Sequence, residues 1–237
     1  MKPTLIFTAT YNESENIALL CNHVLGLNAG YDMLVIDDHS PDGTGRILDE
    51  LAILNPRLKV VHRSGKMGLG SAHEWAMEYA KTMQYESLVT MDADFSHDPD
   101  DIPRLLKALD GQDFVTGSRY MKGGSCNYSG YRRHVSILAN WGARRLLGIS
   151  LHEMTTSFRA FRVDFLRRVD LGAIKSSGYS FFMEIVFRLS RVGARMTEIP
   201  ICFEDRRAGV SKIPPFEIFN GLSHLLYLAN LRFFSRI

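Results

Sequence analysis

The sequence predicts an α/β protein, a mostly parallel sheet with helices on both faces. Three observations carry this. Short apolar runs alternate with longer segments of helical character along most of the chain, the order that builds β-α-β units. The early apolar runs show little in–out alternation, as expected of strands covered on both faces. Polar and charged residues gather where each run stops, which is where open α/β sheets bind ligands.

The first strand is "TLIFTA" (4–9). It follows a single Lys and is too short for the core of a signal peptide, and it flows into polar residues. A helix over about 13–26 leads to "DMLVID" (32–37), and one over 43–54 leads to "LKVVHR" (58–63). Helix 69–83 precedes "SLVTMD" (87–92), and helix 99–109 precedes "DFVTGS" (113–118). Helices over 133–147 and 180–192 come before the last strand, "TEIPIC" (197–202). There is no internal repeat, low-complexity stretch or clear linker.

The 237 residues, 46% hydrophobic and 23% charged, suit one α/β domain, or one domain with an appendage, and a sizeable core. A net charge of +2 gives no reason to expect nucleic acid as a partner. Three scattered cysteines without a CxxC spacing point away from a disulfide framework or zinc site and fit a reducing compartment. Arginine pairs at 132–133, 144–145, 167–168 and 206–207 suit an anionic ligand or a solvated surface.

We divide the chain into a body, 1–213, and an apolar tail, 214–237, "PPFEIFNGLSHLLYLANLRFFSRI". Polar residues interrupt the tail too often for a spanning helix. Its pattern suits an amphipathic helix at a membrane surface, or one packed on the domain or in a subunit interface.

The densest chemistry lies in "LVTMDADFSHDPDD" (88–101). Like charges repel, so five carboxylates past a buried strand call for an offsetting cation. In an extended segment Asp92 and Asp94 face the same side. Both then reach one hard cation, Mg²⁺ or Mn²⁺, that fills its shell with water and substrate phosphates. Asp98 and Asp100 read instead as the acidic start of the next helix. Asp37 and Asp38 end the second strand, where an acid binds ribose hydroxyls or a base edge. Asp38 is the expected ribose ligand, with Asp37 the second candidate; the other reading for one of the pair is a structural hydrogen-bonding residue. Asp42 in the following turn is expected to cap the helix near Gly43. "GKMGLGSA" (65–72) matches neither the phosphate loop nor the dinucleotide fingerprint. It reads as an anion-attracting helix start or as a tight turn with close packing. No G-x-S-x-G elbow is present, and no histidine stands out as a base.

The blocks "TATYNESENI", "VIDDHSPDGT", "RSGKMGLGSA", "MDADFSHDP", "DFVTGSRYMKGG", "YRRHVSILANW", "TTSFRAFR" and "FEDRRAGVSK" occur in that order. Together, over about Thr4 to Lys212, they resemble the dolichol-phosphate (polyprenol-phosphate) mannose synthases, family-2 glycosyltransferases with a GT-A fold. The resemblance implies inverting transfer of mannose from GDP-mannose to a polyprenyl phosphate, with Mg²⁺ or Mn²⁺. It implies nucleotide contacts at Ala9, Tyr11 and Glu13, and guanosine contacts at Ile36 and Asp38. Asp92, Ala93 and Asp94 would hold diphosphate and metal, with Ser96 a metal ligand directly or through water. Arg119, Arg206 and Lys212 would bind phosphates, and Arg132 and Ser136 the acceptor phosphate. Asp94, Arg119 and Arg132 are the expected catalytic residues. A bilayer-resident substrate implies peripheral placement on the cytoplasmic face of a membrane, with a small membrane protein as a further expected partner.

Several positions depart from that pattern: Ala9 for Pro, His39 for Gly or Asn, and, in "HEMTTSFR", Glu153 for Asp and Thr156 beside Ser157. They bear on sugar and acceptor identity more than on reaction class. Alternatives are UDP-glucose as donor or a non-lipid acceptor, a nucleotidyltransferase, and a non-catalytic nucleotide-sugar-binding scaffold.

Overall fold

The computed structural model describes residues 3–27, 30–127, 131–176, 178–205, 207 and 217–234, with the backbone alone at 131, 132, 135, 217 and 218. Strands β1 (Thr4–Thr10), β2 (Asp32–Asp37) and β3 (Leu58–His62) are linked by α1 (Ile17–Gly26) and α2 (Thr44–Leu54). They pair in parallel, with Ala9 beside Ile36 and Ile36 beside Val61. α3 (Leu69–Thr82) then carries the chain to β4 (Ser87–Thr90), on the other side of β1. The winding direction reverses between β1 and β4, and such a switch point opens a crevice at the strands' carboxyl ends.

Beyond β4 come α4 (Ile102–Ala108), β5 (Phe114–Ser118), β6 (Ser125–Cys126) and α5 (Tyr131–Leu147). Next are β7 (Arg159–Arg162), the short α6 (Val163–Leu166), α7 (Phe181–Arg191), β8 (Met196–Pro200), β9 (Cys202–Phe203) and α8 (Glu217–Phe234). The main sheet has the order β3-β2-β1-β4-β7-β5-β8, with β7 antiparallel to both neighbours. β6 and β9 form a separate parallel pair.

Successive strand residues feed two cores. Leu5, Phe7, Leu34, Ile36 and Leu88 pack with α3, α5, α7 and α8. Ile6, Met33, Val35 and Val89 pack with α1, α2 and α4. Burial on both faces is why these strands read as unbroken apolar runs.

The sequence reading missed β7 and the short β6 and β9, and drew three strand ends too long, that of β3 by one residue. The strand expected over 197–202 stops at Pro200, which has no N–H for the ladder. The Ile201 N–H goes to Ser118 O (3.2 Å), and the chain leaves to pair with β6. The strand expected to reach Asp92 ends at Thr90, followed by one further hydrogen bond from Met91 N to Phe7 O (3.0 Å).

α8 docks through Leu225, Leu228 and Ala229, all buried. Its Arg232 caps the end of α5 by donating to Leu146 O (2.8 Å). Gly148, at φ +68°, ends α5 where any side chain would strike that guanidinium. His224 of α8 lies 2.8 Å from the fully buried carboxylate of Glu184 on α7. Glu184 also takes Arg188 (Nε, 2.9 Å), Ser176 Oγ (2.8 Å) and the Lys175 and Ser176 main-chain N–H groups. Burial opposes ionisation of Glu184, but hydrogen bonds from His224, Ser176 and Arg188 prevail and lower its pKa from 4.5 to about 2. A depressed carboxylate stabilises the fold above its unfolded pKa and ceases to as pH falls through the folded value. Glu184→Gln is therefore expected to lower neutral-pH stability, with the deficit narrowing between pH 4.5 and about 2. Urea unfolding of both proteins across that range measures it; a deficit that does not change with pH would refute the assignment.

Candidate active site

Three loops leave the sheet around the switch point. Each contains a non-glycine residue at positive φ: Asn12 (57°) after β1, His39 (57°) after β2 and Phe95 (61°) after β4. Such conformations cost of order 1–3 kcal/mol each and collect at functional sites.

Near the end of β1 Ala9 is half-buried, beside a fully buried Ile36 that is paired in the sheet between β1 and β3. The Tyr11 ring carries Lys66 Nζ at 4.6 Å, so the Gly-rich 65–72 segment reaches over the first loop. Glu13 starts α1: its Oε2 accepts from Asn16 Nδ2 (3.0 Å) and its carbonyl from Ile17 N (2.9 Å).

The two acids after β2 have different partners. Asp37 accepts from Thr10 Oγ1 (2.8 Å) and from Ser40 N (3.0 Å) and Oγ (2.6 Å), a structural role. Asp38, expected from the sequence to bind ribose, is buried and paired with Arg63. Arg63 also donates to Ser71 Oγ (2.7 Å) and Gly68 O (3.0 Å), tying Asp38 to the start of α3. Gly68 has φ 93°, which favours glycine. Asp42 binds Thr44 N (3.0 Å) and Ser14 N (3.0 Å), stitching the α2 start to the β1 loop.

After β4 the chain bends at Ala93 and Asp94 rather than running on extended. The same-side rule for extended chain therefore does not place these carboxylates, and their environments differ. The Asp92 side chain is 37% exposed, whereas Asp94 is 3% exposed. Ser157 Oγ donates to Asp92 Oδ1 (2.6 Å), and Ser96 N donates to Asp94 Oδ1 (3.0 Å). Ser96 is itself buried, and its carbonyl accepts from Glu204 N (3.2 Å). Arg207 N donates to Asp94 O (3.1 Å), so Glu204 and Arg207 are both tied to the acidic loop. Asp98 accepts from Asp100 N (2.9 Å) and caps the 3₁₀ turn Pro99–Asp101.

Among the described residues no group of three His, Cys, Asp or Glu side chains could cage a metal. The oxygen donors of Asp92 and Asp94 fit instead a hard cation that takes two protein carboxylates and completes its shell elsewhere.

Beyond β5, Arg119 Nε donates to Glu153 Oε2 (2.8 Å), and the guanidinium lies 4.8 Å from the Phe203 ring. Glu153 is fully buried. Burial opposes its charge, but the Arg119 guanidinium and hydrogen bonds from Arg119 and Thr155 prevail and hold the carboxyl below its ordinary range. Asn140 of α5 accepts from Met154 N (2.7 Å) and donates to Thr155 Oγ1 (3.2 Å) and Ser136 O (3.0 Å). Glu198 accepts from the His152 and Glu153 N–H groups (2.8 and 3.0 Å). Arg119 and the α5 face carrying Ser136 are thus locked together through the 152–155 loop. Arg132 lies in the first turn of α5 with only its backbone described; Arg206 and Lys212 lie outside the described residues.

Sequence reasoning missed His97, Asn140, Glu198 and Phe203. His97 is 1% exposed, and burial depresses its pKa against the opposing pull of Asp92 and Asp94. It is too deep to act as a base on substrate. The arrangement offers carboxylates in the β4 loop and an oriented guanidinium beyond β5, with Phe203 touching both that guanidinium and the His97 ring. That suits binding of phosphate groups.

Residues 5–170 match the family model "Glycosyl transferase family 2". The chain is 43% identical over 213 residues to polyprenol monophosphomannose synthase of Mycolicibacterium smegmatis, covering 89% of this chain and 80% of that protein. It is 41% identical over 210 residues to undecaprenyl-phosphate mannosyltransferase of Micrococcus luteus, covering 88% and 86%. Glucosyl-3-phosphoglycerate synthase of Mycobacterium tuberculosis, solved with Mn²⁺, UDP and glucosyl-3-phosphoglycerate, superposes with a TM-score of 0.67 at 18% identity, covering 98% of this chain and 80% of that one. That likeness shows the GT-A fold. The sequence matches go further: this chain is a glycosyltransferase and belongs to glycosyl transferase family 2, among the polyprenol-phosphate mannose synthases.

Proposed function

We propose that the protein transfers mannose from GDP-mannose to a polyprenyl phosphate at a membrane surface, with inversion at the anomeric carbon. The observation that carries this is an Arg119 that buried Glu153 holds against Phe203, whose ring also meets His97 beside the Asp92–Asp94 loop. Two phosphate-bearing substrates need that combination, and the relatives named above bear names of lipid-phosphate mannose chemistry.

Asp92 and Asp94 would hold Mg²⁺ or Mn²⁺, with Ser96 supporting Asp94 or reaching the ion through water. When bound, the cation neutralises charge on the departing diphosphate. Ala9, Tyr11, Glu13, Ile36 and Asp38 line the nucleotide side, with Ala93 at the diphosphate. Arg119, with Arg206 and Lys212, binds phosphate, and Arg132 and Ser136 present the acceptor phosphate from α5. A phosphate oxygen is already anionic, so its attack on the anomeric carbon needs no general base. The chain's contribution is alignment and charge stabilisation.

No helix among the described residues is long and apolar enough to cross a membrane. α8 exposes Phe219, Leu222, Leu226, Phe233 and Phe234, and α5 exposes Ile137, Leu138 and Trp141. We assign these faces to the cytoplasmic surface of the bilayer that holds the lipid acceptor, or to a small membrane protein there. Residues 1–213 then form the catalytic body and 214–237 its anchor.

The test is incubation with Mg²⁺ or Mn²⁺, polyprenyl phosphate in liposomes, and either GDP-mannose or UDP-glucose, with mass spectrometry of the lipid. Hexosyl-phosphoryl-polyprenol from GDP-mannose, with GDP released, is expected, as is co-flotation of the protein with the liposomes. Product from UDP-glucose alone would overturn the donor, and release of inorganic diphosphate would indicate nucleotidyl transfer. No product with either donor would refute the reading.

A further inference from the structure

The His97 ring joins three segments that are distant in sequence. Nδ1 lies 3.2 Å from the Asp92 main-chain nitrogen, and Nε2 lies 3.1 Å from Thr156 Oγ1. The ring stacks on Phe158 (centroids 5.0 Å, 16°) and meets Phe203 edge-on (5.2 Å, 73°). The Asp92 amide can only donate, so Nδ1 must be the bare nitrogen and the proton must sit on Nε2. Nε2–H then donates to Thr156 Oγ1, which also accepts from Phe158 N (3.2 Å). Next in the same turn, Ser157 holds the Asp92 carboxylate (2.6 Å). One turn therefore fixes Asp92 at both main chain and side chain.

We propose that His97 is a positioning residue for the cation seat: its Nε2–H tautomer locks the Asp92 main chain to the 156–158 turn and so sets the angle at which that carboxylate meets the ion. This rests on the assignment of Asp92 and Asp94 as that seat. Groups that orient a ligand, without touching the metal, typically change metal affinity 10–100-fold when removed.

The test is Mn²⁺ titration of the purified protein with GDP present, reading free Mn²⁺ by electron paramagnetic resonance. His97→Phe keeps the stacking and loses both hydrogen bonds; its Mn²⁺ dissociation constant is expected to rise about 10–100-fold. His97→Asn returns an acceptor near the Nδ1 position and is expected to recover part of the loss. Thr156→Val leaves the ring and removes only its hydroxyl partner, with a smaller rise expected. ¹⁵N spectra of the parent are expected to show a bare Nδ1. Unchanged Mn²⁺ affinity in a folded His97→Phe, or a protonated Nδ1, overturns the proposal. If His97→Phe does not fold, unchanged affinity in Thr156→Val overturns it. A parent that binds no Mn²⁺ with GDP refutes the cation seat itself, and this role with it.

Discussion

Asp94→Asn is expected to lower mannosyl transfer by about 10²–10³-fold, the scale of removing one fixed charge from a water-poor site. The substitution is close to isosteric. Asn keeps an oxygen where Asp94 Oδ1 accepts from Ser96 N (3.0 Å), so the bend at 93–96 has no reason to open. What disappears is a negative charge on a residue that is 3% exposed. Asp92→Asn should cost less, because that carboxylate is 37% exposed and water can replace part of its role. The measurements are kcat, the metal concentration for half-maximal rate, and Tm. An unchanged Tm with a raised metal requirement would support the cation seat. Transfer within about threefold of the parent, at the parent's metal requirement, is inconsistent with the 10²–10³-fold loss and would remove Asp94 from that role.

The strands that frame the site were legible because two cores bury them on both faces, which leaves continuous apolar runs in the sequence. β7 was not legible. It is four residues long, begins and ends in Arg, and becomes a strand because β4 and β5 leave it a slot to pair on both sides. Arg159 survives full burial there by donating to Phe182 O and Met154 O (2.8 Å each) and lying near the Phe114 and Phe182 rings. No local pattern announces that. The acids were legible because they stand where strands stop. Their supports were not, because His97, Asn140 and Glu198 are polar residues whose partners come from other parts of the chain. Glu153 lay between these cases: its departure from the family's Asp was visible in the sequence, whereas its burial against Arg119 was not.

That pair gives the second large effect. Arg119→Met leaves Glu153 buried without its main counter-charge, and breaking one side of a buried pair costs about 3–5 kcal/mol. The loss should depend on pH in a defined sense. With Arg119 present, Glu153 titrates below its ordinary range, so its stabilising effect exists above the unfolded pKa and fades as acid protonates it. Burial is already the largest single influence on Glu153; without Arg119 its main offset is gone and the pKa rises, so the variant's deficit should be largest near neutrality and shrink on acidification. Urea unfolding from pH 7 down to 4 measures this. Glu153→Gln should also destabilise, because Arg119, whose side chain is 8% exposed, then lacks its counter-charge. In the double variant Arg119→Met, Glu153→Gln neither charge remains, and much of the stability should return as a measurable coupling. Activity should not return with it, since no guanidinium then faces the phosphates. Recovery of stability together with activity would show that Arg119 serves the fold alone; recovery of stability without activity would separate its two roles in one experiment.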